Sequence, residues 1–199
     1  MIETVIFDIG KVLVDFDWEL YLEQLGFDQK TRDVLVSAVF RHPDWTEIDR
    51  GVLSNEEIIS RFITNAGGYE AEIRKLAENL GHTIKLCDYT MDWLRDLKRR
   101  GLNLYLLSNY GDLVYRTSVQ ELPFLELVDG VLFSWKCHLM KPAPAIYQRL
   151  LDTYGINPEK AVFLDDKAEN LTGASVFGIK TILFQDYPQA SRELEALLR

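Results

Sequence analysis

Five short apolar runs, most of them separated by helical patterns, constrain the fold of this chain more than any other feature of its sequence. Each run is too short for a helix, is rich in Val, Ile, Leu, Phe or Tyr, and lies between turn residues or charges. The runs are TVIFD at 4–8, LNLYLLSN at 102–109, GVLFS at 130–134, AVFLDD at 161–166 and KTILF at 180–184. Alternation of buried strands with helices predicts an α/β fold, a doubly wound parallel sheet covered on both faces.

The segment from about Trp18 to Lys85 breaks this alternation, because it contains helical patterns and no convincing strand. Ser54 and Glu57 have the spacing of a capping box that opens a helix. Gly67-Gly68 ends that helix, and a second pattern runs over 69–80. We therefore expect a core formed by residues 1–16 and 86–199, and an all-helical cap formed by residues 17–85, inserted after the first strand.

The remaining helices are predicted from apolar spacing and from the residues that end helices. They span 88–100, 142–154, 171–177 and 188–199, and the first three stop at or next to a glycine.

The charge of the chain limits the partners that its surface can attract. Of its 199 residues, 22 are Lys or Arg and 31 are Asp or Glu, which gives a net charge of −9. Binding to a nucleic-acid backbone needs clustered Lys and Arg, so no nucleic-acid partner is expected. If the substrate is an anion, its attraction must come from a local site.

Cysteine content and hydropathy indicate the compartment. Cys87 and Cys137 are the only cysteines and form no CxxC pair, which favours thiols in a reducing compartment. The opening MIETVIFDIG has neither the charged nor the long apolar part of a secretion signal. No apolar run approaches the roughly twenty residues that cross a bilayer. We expect a cytoplasmic protein without a membrane partner; the sequence does not indicate its oligomeric state.

Polar residues stand where the apolar strands end. In an open parallel sheet, ligands bind outside the carboxyl ends of the strands. The residues at this edge are Asp8 after the first strand, Ser108 and Asn109 after the second, Asp165 and Asp166 after the fourth, and Lys141 in the loop after the third. Each one alone has a structural explanation, such as capping a turn or a helix. Their predicted convergence on one edge favours a site.

The chemistry of that set indicates a metal and a phosphate. Asp8, Asp165 and Asp166 would repel one another unless a divalent cation lay between them. Oxygen ligands select a hard ion such as Mg²⁺, which needs only one or two carboxylates. Lys141 adds positive charge, and Ser108 and Asn109 offer donors for phosphate oxygens. Phosphoryl transfer requires mainly positioning and charge neutralisation, which these groups supply.

The order of four motifs resembles the haloacid dehalogenase superfamily of aspartyl-nucleophile hydrolases. The motifs are FDIGKV at 7–12, LLSN at 106–109, KP at 141–142 and VFLDDKAEN at 162–170. The resemblance covers the whole chain and implies a Rossmann-like core with a helical cap. It also implies roles: Asp8 as nucleophile and metal ligand, the Gly10 carbonyl and Asp166 as further ligands, Asp165 near the metal through water, and Ser108 and Lys141 as phosphate-binding residues.

Gly10 departs from the pattern of the family. Phosphatases of this family usually carry a second Asp two residues after the nucleophile, which acts as general acid and base. An opening motif with glycine at this position resembles that of a bacterial branch of the family, which includes sugar-phosphate phosphatases acting on glucose 1-phosphate. Asp15 and Asp17 are candidates for a replacement acid or a substrate contact, although capping of the next helix explains them as well. Arg41, Trp45 and Asp49 lie in the insertion and are candidates for substrate specificity.

The sequence thus predicts a Mg²⁺-dependent phosphatase that acts on a small phosphate monoester, such as a sugar phosphate, through an aspartyl-phosphate. Two alternatives stay open. A 2-haloacid dehalogenase also uses an aspartate nucleophile but needs no metal, so the paired carboxylates at 165–166 count against it. A phosphate-binding regulator that lost catalysis together with its general acid is the other.

Overall fold

Seven strands form two sheets in a computed structural model that describes all residues, 1–199. The strands are β1 Thr4–Phe7, β2 Val14–Phe16, β3 Ile84–Leu86, β4 Asn103–Ser108, β5 Gly130–Phe133, β6 Ala161–Asp165 and β7 Lys180–Leu183. Five of them form the main sheet in the order β5-β4-β1-β6-β7, and every neighbouring pair is parallel. The predicted parallel sheet is confirmed, and β1 lies at its centre.

Eleven α-helices surround the sheet and fill the insertion. They are α1 Trp18–Gln24, α2 Gln29–Leu35, α3 Trp45–Arg50, α4 Asn55–Ala66, α5 Glu70–Glu78, α6 Thr90–Arg99, α7 Asp112–Ser118, α8 Ser134–Cys137, α9 Pro144–Tyr154, α10 Ala168–Ser175 and α11 Tyr187–Leu198. A π-helix, Val36–Phe40, continues α2, and short 3₁₀ turns cover Leu80–Thr83, Val119–Glu121, Pro123–Glu126 and Pro158–Lys160.

The central strand has apolar side chains on both faces of the sheet, as a strand buried on both sides requires. Val5 and Phe7 belong to a cluster with side chains of α6 and α11, whereas Ile6 belongs to a second cluster with side chains of α9 and α10. Helices therefore cover both faces. The first cluster also contains Leu35 and Phe62 from the insertion, so the insertion and the sheet share one continuous apolar core.

A short ribbon at the two ends of the insertion is absent from the prediction; within the insertion itself, only Ile84 and Lys85 are strand residues. β2 and β3 pair antiparallel, Val14 with Leu86 and Phe16 with Ile84, and this two-stranded ribbon joins the two ends of the insertion. Three residues per strand are too few to show an alternating pattern, and the pairing joins residues about seventy positions apart, so no local signal reveals it. The division into a core of 1–16 and 86–199 and a cap of 17–85 stays a prediction.

Helix boundaries differ from their predicted positions by a few residues. The helix predicted over 142–154 begins at Pro144. Proline is favourable in the first turn of a helix, where its missing N–H would have no partner within the helix. The helix predicted over 171–177 begins three residues earlier, at Ala168. In the turn before it, Asp165 accepts a hydrogen bond from the Lys167 N–H at 2.8 Å. No helix combines the length and the apolar character that a membrane crossing requires.

The predicted capping box of α4 is confirmed and allows a test of how the insertion is stabilised. The Ser54 Oγ accepts a hydrogen bond from the Glu57 N–H at 3.3 Å, and the Ser54 N–H donates to the Glu57 carboxylate at 2.8 Å. We expect Ser54→Ala to lower the free energy of unfolding by about 1 kcal/mol, measured by urea denaturation. Ser60→Ala, in the interior of the same helix, is the control and should cause no loss.

Candidate active site

The polar residues predicted at the strand ends lie at one edge of the main sheet. Asp8 follows β1 directly, Ser108 is the last residue of β4, and Asp165 is the last residue of β6. β4 and β6 are the two neighbours of β1, so the three positions are adjacent. Lys141 enters from the loop between α8 and α9, and its side chain reaches both Asp8 and Asp165. The fold thus brings these residues together.

Asp8 is held in one orientation by three donors on the same oxygen. Its Oδ1 accepts hydrogen bonds from the Ile9 N–H at 2.7 Å and from the Ser108 hydroxyl at 2.7 Å. The Lys141 Nζ lies 3.0 Å from the same oxygen. Its Oδ2 has no hydrogen-bond partner in the protein. A fixed carboxylate with one free oxygen can bind a cation or attack an electrophile.

Lys141 is a buried ammonium group between two carboxylates. Its Nζ donates to the Asp165 Oδ2 at 2.6 Å, in addition to its contact with Asp8. Burial alone would lower the pKa of Lys141, but the charges of Asp8 and Asp165 outweigh burial and raise it. The group therefore keeps its proton and its positive charge, which is the local charge that an anionic substrate needs.

Asn109 fixes the backbone of Lys141. Its side-chain oxygen accepts from the Lys141 N–H at 2.8 Å, and its amide nitrogen donates to the Lys141 carbonyl at 2.9 Å. One amide hydrogen is left over, so the predicted contact of Asn109 with phosphate stays a prediction. Sequence reasoning missed the clamp because it joins loops that are 32 residues apart.

Asp165 is fully buried and saturated with hydrogen bonds. The Asn170 Nδ2 lies 2.9 and 3.0 Å from its two oxygens, and the Lys167 N–H and Lys141 supply the remaining contacts. Burial, together with the charge of Asp8, raises the pKa of Asp165 to about 6. Asn170 has no role in the sequence-based prediction. The signal that could have found it is a polar residue in the first turn of the helix that follows the paired aspartates.

Asp166, unlike Asp165, has no hydrogen-bond partner. It is half-buried and makes no hydrogen bond within the protein, and burial and the charge of Asp8 raise its pKa. Asp8, Asp165 and Asp166 each offer a carboxylate oxygen, and these oxygens lie within 4.8 Å of one another. Asp166 and the Asp8 Oδ2 have no hydrogen-bond partners in the protein. The Gly10 carbonyl has none either, and its place in a metal site stays a prediction. Such an oxygen-only set fits a hard divalent cation such as Mg²⁺.

The two aspartates at 15 and 17 lie on the β2–β3 ribbon and its exit. The exposed Asp17 caps α1, since its carboxylate accepts from the Leu20 N–H at 2.9 Å. Asp15 is exposed, and its charge helps to raise the pKa of the Cys87 thiol, whose main cause is burial. Capping explains the position of Asp17, whereas Asp15 lies in β2 and caps no helix. An acid or substrate role for either stays a prediction.

Arg41 and Trp45 belong to an aromatic group in the insertion. Trp45 packs against Phe16 and Phe40 with ring centroids 5.6 and 5.2 Å apart, and the Arg41 guanidinium lies 5.9 Å from the centre of the Trp18 ring. Arg41 also lines a hollow of 590 Å³ whose walls all come from the insertion. A specificity role for these two residues stays a prediction.

The backbone of Asp49, the third candidate in the insertion, contacts the strand edge. Its main-chain carbonyl accepts a hydrogen bond from the Ser134 hydroxyl at 2.5 Å, at the end of β5. Burial, with a contribution from the charge of Asp8, raises the pKa of Asp49 to about 7, while Lys167 and Lys141 act in the opposite direction. Its carboxylate is thus within electrostatic range of three residues of the site.

The fold and this site define an α/β enzyme whose functional groups meet at the carboxyl edge of a parallel sheet. A family model described as haloacid dehalogenase-like hydrolase matches residues 2–178. The chain belongs to this family of hydrolases.

Individual relatives are more distant. The chain is 24% identical over 209 residues to a D-ribitol-5-phosphate phosphatase of Bacteroides thetaiotaomicron, covering 100% of this chain and 99% of the relative. It is 34% identical over 109 residues to bifunctional epoxide hydrolase 2 of Rattus norvegicus, covering 55% of this chain. That alignment spans 17% of the length of the rat enzyme, and the matches to several other curated relatives span less than two fifths of theirs.

A solved structure has the same fold. A HAD family enzyme of Bacteroides thetaiotaomicron, crystallised with magnesium and inorganic phosphate, superposes with a TM-score of 0.75 at 22% identity, covering 100% of both chains. At this identity the likeness extends to the fold alone.

The buried lysine yields a prediction about stability. Lys141→Met leaves Asp8 and Asp165 buried without their cation, so we expect the free energy of unfolding to fall by about 3–5 kcal/mol in metal-free buffer. Lys160→Met is the matched control: its ammonium group pairs with Glu3 at 2.7 Å on the surface, and its loss should change stability by less than about 1 kcal/mol. Equal effects of the two substitutions in urea denaturation would contradict the role given to Lys141.

Proposed function

We propose that this protein is a Mg²⁺-dependent phosphatase that hydrolyses a small phosphate monoester through an aspartyl-phosphate on Asp8. The observation that carries the proposal is the Asp8 carboxylate, fixed through Oδ1 by three donors while its Oδ2 is free. This arrangement suits an in-line attack on phosphorus, because the nucleophile has one accessible oxygen and little freedom to turn away.

Two side chains next to Asp8 supply the phosphate-binding charge and hydrogen bonds. Lys141 keeps its positive charge between Asp8 and Asp165, and Ser108 places a hydroxyl within 2.7 Å of the nucleophile. Positive charge and donors at the reacting group are the main requirement of phosphoryl transfer. Because the net charge of the chain is −9, this positive charge has to come from a local site.

The residues that would hold Mg²⁺ are Asp8, Asp166 and the Gly10 carbonyl, with Asp165 behind them. When bound, Mg²⁺ neutralises the excess negative charge of the site and of the phosphoryl group. Asp165 is less suited to direct binding because Lys141, Asn170 and the Lys167 N–H already occupy both of its oxygens. Its role in the proposal is to orient Lys141.

The proposed substrate is a sugar or polyol phosphate. The support is the D-ribitol-5-phosphate phosphatase, which aligns over the full length of both chains, together with the glycine at position 10 that resembles phosphatases acting on glucose 1-phosphate. Two free thiols, Cys87 buried and Cys137 partly buried, support a location in a reducing compartment such as the cytoplasm.

The alternatives make different predictions in simple assays. A metal-independent 2-haloacid dehalogenase would release halide from 2-haloacids in the presence of EDTA. The three clustered carboxylates argue against this function, because they repel one another unless a cation lies between them. A non-catalytic phosphate-binding regulator would bind phosphate esters without turnover. A panel of sugar, polyol and nucleotide monophosphates with Mg²⁺ separates the three functions.

Substitution of Asp8 tests the nucleophile. Asp8→Asn is nearly isosteric and removes one of three mutually repelling carboxylates, so we expect the melting temperature to hold or rise while turnover falls to less than about 0.1% of wild type. Phosphate release and circular dichroism are measured on the same preparation. A folded variant that retains a substantial fraction of the activity would exclude Asp8 as nucleophile.

Substitution of the paired aspartates tests the metal site. Asp166→Asn removes a carboxylate without internal partners, so we expect it to raise the Mg²⁺ concentration for half-maximal activity by at least about tenfold. Asp165→Asn should change this concentration much less and should lower the stability instead, because it loosens Lys141. Turnover that continues undiminished after exhaustive chelation would contradict the metal requirement altogether.

A further inference from the structure

The reaction proposed above needs a proton donor that the strand edge does not supply. The oxygen that leaves an alkyl or sugar phosphate must be protonated, and the water that hydrolyses the aspartyl-phosphate must lose a proton. Asp8 is the nucleophile, both oxygens of Asp165 are occupied, and Asp166 is a proposed metal ligand. Lys141 is tied to two carboxylates that hold its proton. The donor must therefore come from another element.

Gly10 leaves room near the nucleophile. It does not adopt a left-handed backbone conformation, and a Cβ placed on it would have no heavy atom within 4 Å. Neither backbone strain nor close packing explains the glycine. Two residues beyond Asp8, the chain therefore offers open space and no titratable side chain.

Helix α3 brings the backbone of Asp49 to this edge of the sheet. The Asp49 carbonyl is bound by the Ser134 hydroxyl, and the same hydroxyl accepts a hydrogen bond from the Tyr110 N–H at 3.0 Å. Tyr110 lies two residues after Ser108. The backbone of Asp49 is thus connected to the loops that follow β4 and β5, the same edge at which Asp8 lies.

Two glycines hold α3 close to these loops. A Cβ on Gly111 would lie 2.1 Å from the Ile48 side chain, and a Cβ on Gly51 would lie 2.4 Å from the Trp135 carbonyl. Both contacts flank Asp49 and leave no space for a side chain between the insertion and the core. The position of Asp49 relative to the site is therefore set by packing on both of its sides.

We propose that Asp49 is the general acid and base of the reaction, supplied to the core by the inserted helix α3. The proposal deepens the function proposed above and rests on it. The charges of Lys167, Asp8 and Lys141 from the core act on the Asp49 carboxyl. Burial chiefly raises the pKa of Tyr110, and the charge of Asp49 adds to that rise. A pKa of about 7 for Asp49, raised chiefly by burial, is in keeping with a group that both gives and takes a proton near neutral pH.

The proton balance closes over the two steps. In the first step an Asp8 oxygen forms a bond to phosphorus, the bond from phosphorus to the ester oxygen breaks, and the carboxylic acid of Asp49 gives its proton to that oxygen. In the second step water attacks phosphorus, its proton passes to the Asp49 carboxylate, and the bond between phosphorus and Asp8 breaks. Asp8 and Asp49 return to their initial states, and inorganic phosphate leaves.

The test compares leaving groups in Asp49→Asn. Simple alkyl and sugar phosphates need a proton on the leaving oxygen, so we expect their single-turnover rates to fall by about 10²–10⁴-fold. p-Nitrophenyl phosphate releases a stable anion, so its phosphorylation of Asp8 should change by less than about threefold. Glu47→Gln, which neutralises a carboxylate on the same helix, is the matched control and should leave both rates unchanged. An equal loss for all leaving groups, or no loss for alkyl phosphates, would overturn the proposal.

A second measurement tests Asp49 as the general base that activates water for hydrolysis of the aspartyl-phosphate. With p-nitrophenyl phosphate, Asp49→Asn should form the aspartyl-phosphate at a near-normal rate but hydrolyse it slowly, so the phosphorylated fraction after acid quench should exceed that of wild type and of Glu47→Gln. A residue that only binds the substrate or stabilises the fold does not produce this accumulation. A phosphorylated fraction no higher than that of wild type would overturn the role in the second step.

A carboxylate introduced at position 10 tests whether the activity lost in Asp49→Asn can be restored. Because the position has room for a side chain, Gly10→Asp in the Asp49→Asn background should recover at least about tenfold of the lost alkyl phosphatase activity. Failure of the function itself is recognised separately: wild-type protein would then hydrolyse no phosphate ester with Mg²⁺, and Asp8→Asn would behave like wild type.

Discussion

The buried ammonium group of Lys141 is the interaction on which the site depends. Its contacts with Asp8 at 3.0 Å and Asp165 at 2.6 Å bring together two carboxylates that would otherwise repel each other in an environment that raises the pKa of Asp165. Removing the ammonium group alone would leave buried carboxylates unpaired, and removing the carboxylates alone would leave a buried ammonium group unpaired. Either change is costly. The double clamp of Asn109 and the helix-borne Asn170 hold the two ends of this interaction. The fold thus devotes buried polar side chains to positioning a single cation.

The core of the fold could be predicted from sequence because its signals are local. Each strand of the parallel sheet is a short apolar run between turn residues, and the capping box at Ser54 fixes the start of α4. The β2–β3 ribbon could not be predicted, since three-residue strands show no periodicity and their partners lie at opposite ends of the insertion. A pairing of this kind depends on how the insertion folds and brings its two ends together, which the local sequence does not show.

The same distinction separates the site residues that sequence reasoning found from those it missed. Asp8, Ser108 and Asp165 follow from topology, because the ends of adjacent parallel strands must meet at one edge. Asn109 was expected at that edge but not as a clamp on Lys141, and Asn170 was not assigned at all. Asp49 was only one of three candidates in the insertion; its place at the edge depends on how α3 packs on the core, which no local pattern encodes.

An acid carried by the insertion would divide the chemistry between two parts of the chain. The core alone holds the nucleophile, the phosphate-binding lysine and the oxygens suited to Mg²⁺, whereas proton transfer would require α3 to be seated on the loops after β4 and β5. Those contacts are made through Gly51 and Gly111, where any larger residue would push the helix away. The β2–β3 ribbon joins both ends of the insertion, and β2 begins only six residues after Asp8. Seating of α3 would then control protonation of the leaving group without changing the nucleophile, so that chemistry proceeds to completion only when the site is covered.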